Sequence, residues 1–128
     1  MTGANKHIGI LLVDDDEMLL SSLLEGLHDP AGRVKVHTAG NGRQALEVLG
    51  GHSGIELLVT DLRMPEMDGF DLLAEVKRDF PAIRAIAMTA FITPEAEDRL
   101  KTIGDYLCIE KSAGIIELRR VIMFELFR

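Results

Sequence analysis

Residues 9–20 read GILLVDDDEMLL. The apolar run Ile10–Val13 passes directly into Asp14, Asp15, Asp16 and Glu17, and Leu19 and Leu20 follow. A short continuous apolar run is the pattern of a strand buried on both faces. Beyond the acids, Leu20, Leu23, Leu24 and Leu27 recur at helical spacing. The stretch therefore reads as a strand over 7–13, an acidic turn and a helix over 17–28. Four adjacent carboxylates repel one another, so their place at a strand end raises the question of which serve chemistry.

The same unit recurs along the chain. RVKVHT (33–38) alternates with Val34 and Val36 on one face, and GRQALEVL (42–49) gathers Ala45, Leu46 and Leu49 on one side of a helix. IELLVT (55–60) is an apolar strand that ends in Asp61, and a helix over 68–80 turns Phe70, Leu73, Val76 and Phe80 inward. IRAIAM (83–88) is a fourth strand. Thr93 caps the next helix, with Pro94 at its first position, to about Ile103. DYLCI (105–109) is the fifth strand and 113–127 the last helix. Strands alternating with helices predict an α/β fold, a single doubly wound (βα)5 domain with a five-stranded parallel sheet covered on both faces.

Composition agrees with one globular domain. The chain has 128 residues, 47% hydrophobic and 27% charged. A net charge of −7 lacks the basic footprint of direct nucleic-acid binding and suits a cation or a basic partner. One cysteine, Cys108, allows no internal disulfide. The N-terminus MTGANKHIG is too polar for a signal peptide, and no apolar run approaches the ~18 residues of a membrane span. A cytoplasmic protein is expected.

In such a fold ligands sit outside the carboxyl ends of the strands. The residues delivered there are Asp14, Asp15, Asp61, Thr89 and Lys111. Clustered carboxylates are oxygen ligands for a hard cation such as Mg²⁺, which often shares its site with a phosphoryl group. A carboxylate beside the ion can attack phosphorus and form an aspartyl phosphate. A lysine and a small hydroxyl supply charge and donors to the phosphoryl oxygens. No GxxxxGK[ST] loop is present, so a nucleotide is not the evident phosphate source.

With LLVDDDEML at the first strand end, VTDLRMPEMDGFDLL at the third, AMTAF after the fourth and Lys111 after the fifth, the chain resembles the response-regulator receiver domains of two-component signalling over essentially its whole length. The resemblance implies a flavodoxin-like strand order 2-1-3-4-5. It implies Asp61 as phosphate acceptor. Asp14 and Asp15 would hold Mg²⁺ with Asp61 and the carbonyl of Arg63, Asp15 being the more direct ligand. Thr89 would be the switch hydroxyl, and Lys111 would pair with the phosphoryl group. The phosphodonor would be a sensor histidine kinase or a histidine phosphotransfer protein. Beyond its own phosphoryl transfer and dephosphorylation no enzyme activity is implied.

Two departures stand out. Ser112 follows Lys111 where the family usually has proline, often after a cis peptide, so the loop is expected to differ in shape. Three positions before the lysine, the usual place of an aromatic switch residue, is Cys108; Tyr106 lies two residues earlier, on the same side of a period-2 strand. Either Tyr106 substitutes or the aromatic switch is absent.

The remaining polar residues have simpler readings. Asp16 and Glu17 complement the dipole of the helix they open. Asp68 is a helix cap and Asp71 a first-turn acid. His7, His28, His37 and His52 match no metal spacing, and Cys108 is a small buried apolar residue. On the last helix, Ile115, Leu118, Ile122 and Leu126 form a core stripe, while Val121, Phe124 and Phe127 fall outside it or at its margin. That surplus is either a broad buried face or the contact of a homodimer.

Three functions compete: a phosphorylation-dependent switch, an Asp-nucleophile phosphotransferase, and a receiver-like binding module with impaired switching. An enzyme of this chemistry usually needs a cap to exclude water, and no insertion is long enough to build one. The chain is expected to be one receiver domain over 1–128, structured over about 7–127, with no membrane contact and no output domain.

Overall fold

The structure is a computed structural model that describes residues 7–128. The first six residues of the polar N-terminal stretch lie outside the described residues. Five strands, β1 (Ile8–Val13), β2 (Val34–Ala39), β3 (Ile55–Asp61), β4 (Arg84–Thr89) and β5 (Leu107–Glu110), form one parallel sheet in the order β2-β1-β3-β4-β5. Helices α1 (Glu17–Gly26), α2 (Gly42–Gly51), α3 (Gly69–Asp79), α4 (Pro94–Ile103) and α5 (Ile115–Phe127) alternate with them. The expected α/β class and strand order are both observed.

Each central strand feeds two cores because its side chains alternate between faces. Leu11, Val13 and Leu58 join Ala45, Leu49, Leu73, Val76 and Leu100 beneath α2, α3 and α4. Ile10, Leu12 and Leu57 join Leu20, Leu23, Leu118, Ile122 and Leu126 beneath α1 and α5. The last helix thus presents the stripe read from its sequence.

Two arginines lock the α1–α5 side through bonds to distant carbonyls. Arg119 Nε donates to the Gly26 carbonyl at 2.6 Å, supplying a cation to the C-terminus of α1, whose own last turn has no basic residue. Arg84, from β4, donates to the carbonyls of Glu125 and Leu126 at the end of α5.

Several boundaries and one facing differ from the sequence reading. Leu24 is 44% exposed, because the buried arc of α1 is centred on Leu20, Leu23 and Leu27. Leu72, not singled out by spacing, is fully buried. The fifth strand begins at Leu107, so Tyr106 precedes it. A 3₁₀ turn at Lys111–Ala113 intervenes before the last helix, which starts at Ile115 after Gly114 (φ 91°).

Candidate phosphoryl-acceptor and metal site

The four acids of the opening stretch have divided roles. Asp14 directly follows β1 and extends its ladder, its N–H donating to the Ala39 carbonyl at 3.1 Å. Its side chain is fully buried, and Oδ1 accepts from the Asp16 N–H at 2.9 Å. Asp15 is exposed. Asp16 is the N-cap of α1, with Oδ1 accepting from the N–H groups of Met18 (3.0 Å) and Leu19 (3.3 Å). Glu17 is the first helical residue. The boundary between site and helix therefore falls after Asp15.

Asp61 ends β3 and is 4% exposed, its Oδ1 accepting from the Arg63 N–H at 3.3 Å. One carboxylate oxygen from each of Asp14, Asp15 and Asp61 lies within 4.8 Å of the other two. Lys111 reaches this cluster from just past the end of β5: Nζ stands 2.7 Å from Asp14 Oδ2 and 3.0 Å from Asp61 Oδ2. It does so from the Ser112-bearing turn, with no cis peptide among the described residues. The absent proline has not displaced the lysine.

Burial holds the Asp14 carboxyl above its ordinary range; the Asp61 charge adds to this, while Lys111 and the Asp16 N–H oppose it. Burial alone would lower the Lys111 ammonium, but its ion pairs with Asp14 and Asp61 outweigh that and hold it above its usual value. Asp14 Oδ2 has no aligned hydrogen bond despite the nearby ammonium. A buried carboxylate oxygen left in that state suits a further cation. With three carboxylates converging, the residues fit a small hard dication.

The wall behind Asp61 depends on a glycine that spacing did not single out. A Cβ on Gly69 would lie 2.1 Å from the Asp61 carbonyl oxygen and 2.7 Å from the Leu62 Cα. Gly69 N–H donates to the Leu62 carbonyl at 3.0 Å, so the start of α3 rests on the backbone just after β3. Asp68 caps that helix through the Asp71 N–H at 2.9 Å, as its sequence position predicts.

Thr89 ends β4 and is buried, and its Oγ1 donates to the Phe91 carbonyl at 3.2 Å. Arg63 is exposed, consistent with a free side chain. Cys108 pairs with Ala87 in the ladder below Thr89. Cys108 is half-buried, and burial chiefly, with Glu97 and Glu110, pushes its thiol up, which suits packing rather than reactivity. Tyr106 packs over Gly104, whose Cβ would lie 2.9 Å from Tyr106 Cε2, at the start of β5 and away from the strand ends that carry the acids.

Known proteins are similar to this chain in sequence and in fold. The model of the response regulator receiver domain matches residues 10–123. The transcriptional regulatory protein ZraR of Escherichia coli (strain K12) is 42% identical over 106 residues, 79% of this chain and 23% of that protein. The two-component response regulator ORR3 of Oryza sativa subsp. japonica is 32% identical over 107 residues, covering 81% of this chain and 73% of that protein. The chain spans about a fifth of the length of the Escherichia coli transcriptional regulators it matches. Among solved structures, chemotaxis protein CheY4 of Vibrio cholerae superposes with a TM-score of 0.82 at 24% identity, over 92% of this chain and 98% of that one. The phosphorylated cyanobacterial phytochrome response regulator RcpA gives 0.80 at 24% identity, over 93% and 91%.

Proposed function

We propose, from the premise that the chain belongs to the response regulator receiver domains, that Asp61 is the residue that becomes phosphorylated. The family is one of phosphorylation-dependent signalling switches, served by a phosphodonor such as a histidine kinase. The observation that carries the assignment is the buried Asp61 carboxylate, 3.0 Å from a lysine ammonium and within 4.8 Å of two further carboxylates at the sheet edge.

In this reading an Asp61 carboxylate oxygen attacks the phosphorus of a phosphohistidine on the kinase or on a histidine phosphotransfer protein. The P–N bond breaks, its electron pair returns to the imidazole, and the imidazole takes up a proton. Asp14, Asp15 and the Arg63 carbonyl, with Asp61, would hold Mg²⁺. When bound, the ion supplies positive charge that offsets the carboxylates and the incoming phosphoryl oxygens. Lys111, already shared between Asp14 and Asp61, follows the new negative charge onto the phosphoryl group. The Thr89 hydroxyl leaves the Phe91 carbonyl to donate to a phosphoryl oxygen, and that exchange biases the surface built from α4, β5 and α5. The fold is that of one receiver domain. No described helix is long and apolar enough to cross a membrane; with a histidine kinase as donor, we read the reaction as cytoplasmic.

Incubation with Mg²⁺ and acetyl phosphate tests the assignment. One acid-stable, base-labile phosphoryl adduct is expected by mass spectrometry, and none on Asp61→Asn. An undiminished adduct on that variant removes Asp61 from the role. Asp15→Ala should weaken Mg²⁺ binding far more than Asp16→Ala, because Asp16 spends its carboxylate on the cap of α1. Equal losses would mean the wrong acids have been chosen.

The partner surface includes α5. Ile116 and Phe124, 86% and 63% exposed, lie about two turns apart on the outward side of α5. A second copy of this chain would cover them, and the homodimer would be strengthened when Asp61 is phosphorylated. Sedimentation velocity of both forms checks this. Monomer alone at high concentration in each form excludes it.

A further inference from the structure

One peptide unit after β4 is held at both ends. The Phe91 carbonyl accepts from Thr89 Oγ1 at 3.2 Å, and the N–H of the same peptide, that of Ile92, donates to Glu110 Oε2 at 3.0 Å. Thr89 and Glu110 are register partners in the β4–β5 ladder. Aligned residues of a parallel pair point to the same face, so a hydroxyl and a carboxylate reach the same short link from two neighbouring strand ends. The link, residues 90–93, leads directly into α4, and Phe91 on it is 74% exposed. Glu110 itself is only half-buried and is drawn into no ion pair among the described residues.

We infer that Glu110 is a positioning residue for the switch: it holds the Phe91–Ile92 peptide in its resting orientation and makes Thr89 and the exposed Phe91 move as one unit. The inference rests on the reading of Thr89 as the switch hydroxyl. Thr89 cannot donate to the Phe91 carbonyl and to a phosphoryl oxygen with its one proton. When it turns to the phosphoryl group, the peptide loses its oxygen anchor and keeps only the anchor on Glu110. A charged acceptor makes the stronger of the two bonds, so Glu110 sets how far the link can shift. Cys108, two residues before Glu110 on the same face of β5, offers no ring to pack against this link. The restraint on the link is therefore polar, in the plane of one peptide, rather than a packed ring.

The test uses the whole chain carrying Phe91→Trp as an exposed reporter. Amide exchange of Ile92 is followed by NMR in the reporter background, in Glu110→Ala and in Glu110→Gln, with and without acetyl phosphate and Mg²⁺. Loss of a charge-assisted bond should speed Ile92 exchange in Glu110→Ala by roughly tenfold. Glu110→Gln keeps an acceptor oxygen and should restore most of the protection. A released link also lowers the cost of the switched state, so Glu110→Ala should be phosphorylated by acetyl phosphate several-fold faster, and its Trp emission before phosphorylation should move toward that of the phosphorylated parent. A residue of merely structural importance would lower the melting temperature without moving the emission or the rate in that direction. Unchanged Ile92 exchange in Glu110→Ala, or an unshifted resting emission, overturns the inference. Thr89→Ala separates the premise: if it leaves the phosphorylation-dependent change in emission intact, the reading of Thr89 fails, while Ile92 exchange still reports on Glu110 directly.

Discussion

At the scale of single residues, the site is built by side chains that neighbours hold in unfavourable states. Asp14 is a fully buried acid with one oxygen lacking an aligned hydrogen bond. Asp14→Asn should therefore raise the melting temperature in the absence of Mg²⁺ and abolish the increase that Mg²⁺ gives the parent, as differential scanning calorimetry with and without the ion would show. Glu66, in the loop between Asp61 and α3, has φ 66°, a conformation that costs an L side chain about 1 kcal/mol. Glu66→Asn should be neutral or stabilising by a few tenths of a kcal/mol in denaturant unfolding. Gly69 allows no such latitude. Its would-be Cβ meets backbone at 2.1 Å, which cannot yield as a flexible side chain can. Gly69→Ala should cost about 3 kcal/mol or more, above the usual range for overpacking, and should slow phosphorylation of Asp61 by shifting the acceptor strand.

At the scale of elements, the edge strand β2 carries a pH dependence of its own. His37 on β2 stacks on His52, at the C-cap of α2, with ring centroids 4.4 Å apart. Burial chiefly, then His52 and Lys35, lower the His37 pKa below its ordinary 6.5. The unfolded chain then binds a proton that the folded chain refuses. The stabilising contribution is complete above pH 6.5 and is lost as pH falls from there through the folded value. The melting temperature should drop between pH 7.5 and 5, and His37→Gln should flatten that part of the profile. The starts of α3 and α4 were legible from sequence because caps are local: Asp68 and Thr93 each accept from an N–H three residues on. The strand start at Leu107 was not, since the end of a ladder is set by the partner strand, here by the pairing of Leu107 with Ile86.

At the scale of the whole molecule, two helices cover one face of the sheet and three the other, and both cores are continuous with the strands that carry the site. Truncating Leu58, fully buried between β3 and the three-helix layer, should cost about 2–5 kcal/mol in equilibrium unfolding as Leu58→Ala. The same variant should weaken phosphorylation, because Asp61 stands three residues along that strand.

The order of strands and helices followed from sequence alone, because helical and strand periods are properties of neighbouring residues. The placing of Asp14, Asp15 and Asp61 at the sheet edge followed with it, since each acid lies where an apolar run stops. Only the tertiary structure decided which carboxylates share a lysine. It also decided that a serine-bearing turn still delivers that lysine, that Leu24 faces solvent, that Gly69 abuts the Asp61 backbone, and that Thr89 and Glu110 grip one peptide. Those facts depend on register and on the paths of turns between residues far apart in the chain. Distances of 3 Å across strands are set by the packing of the whole sheet, which no local pattern records.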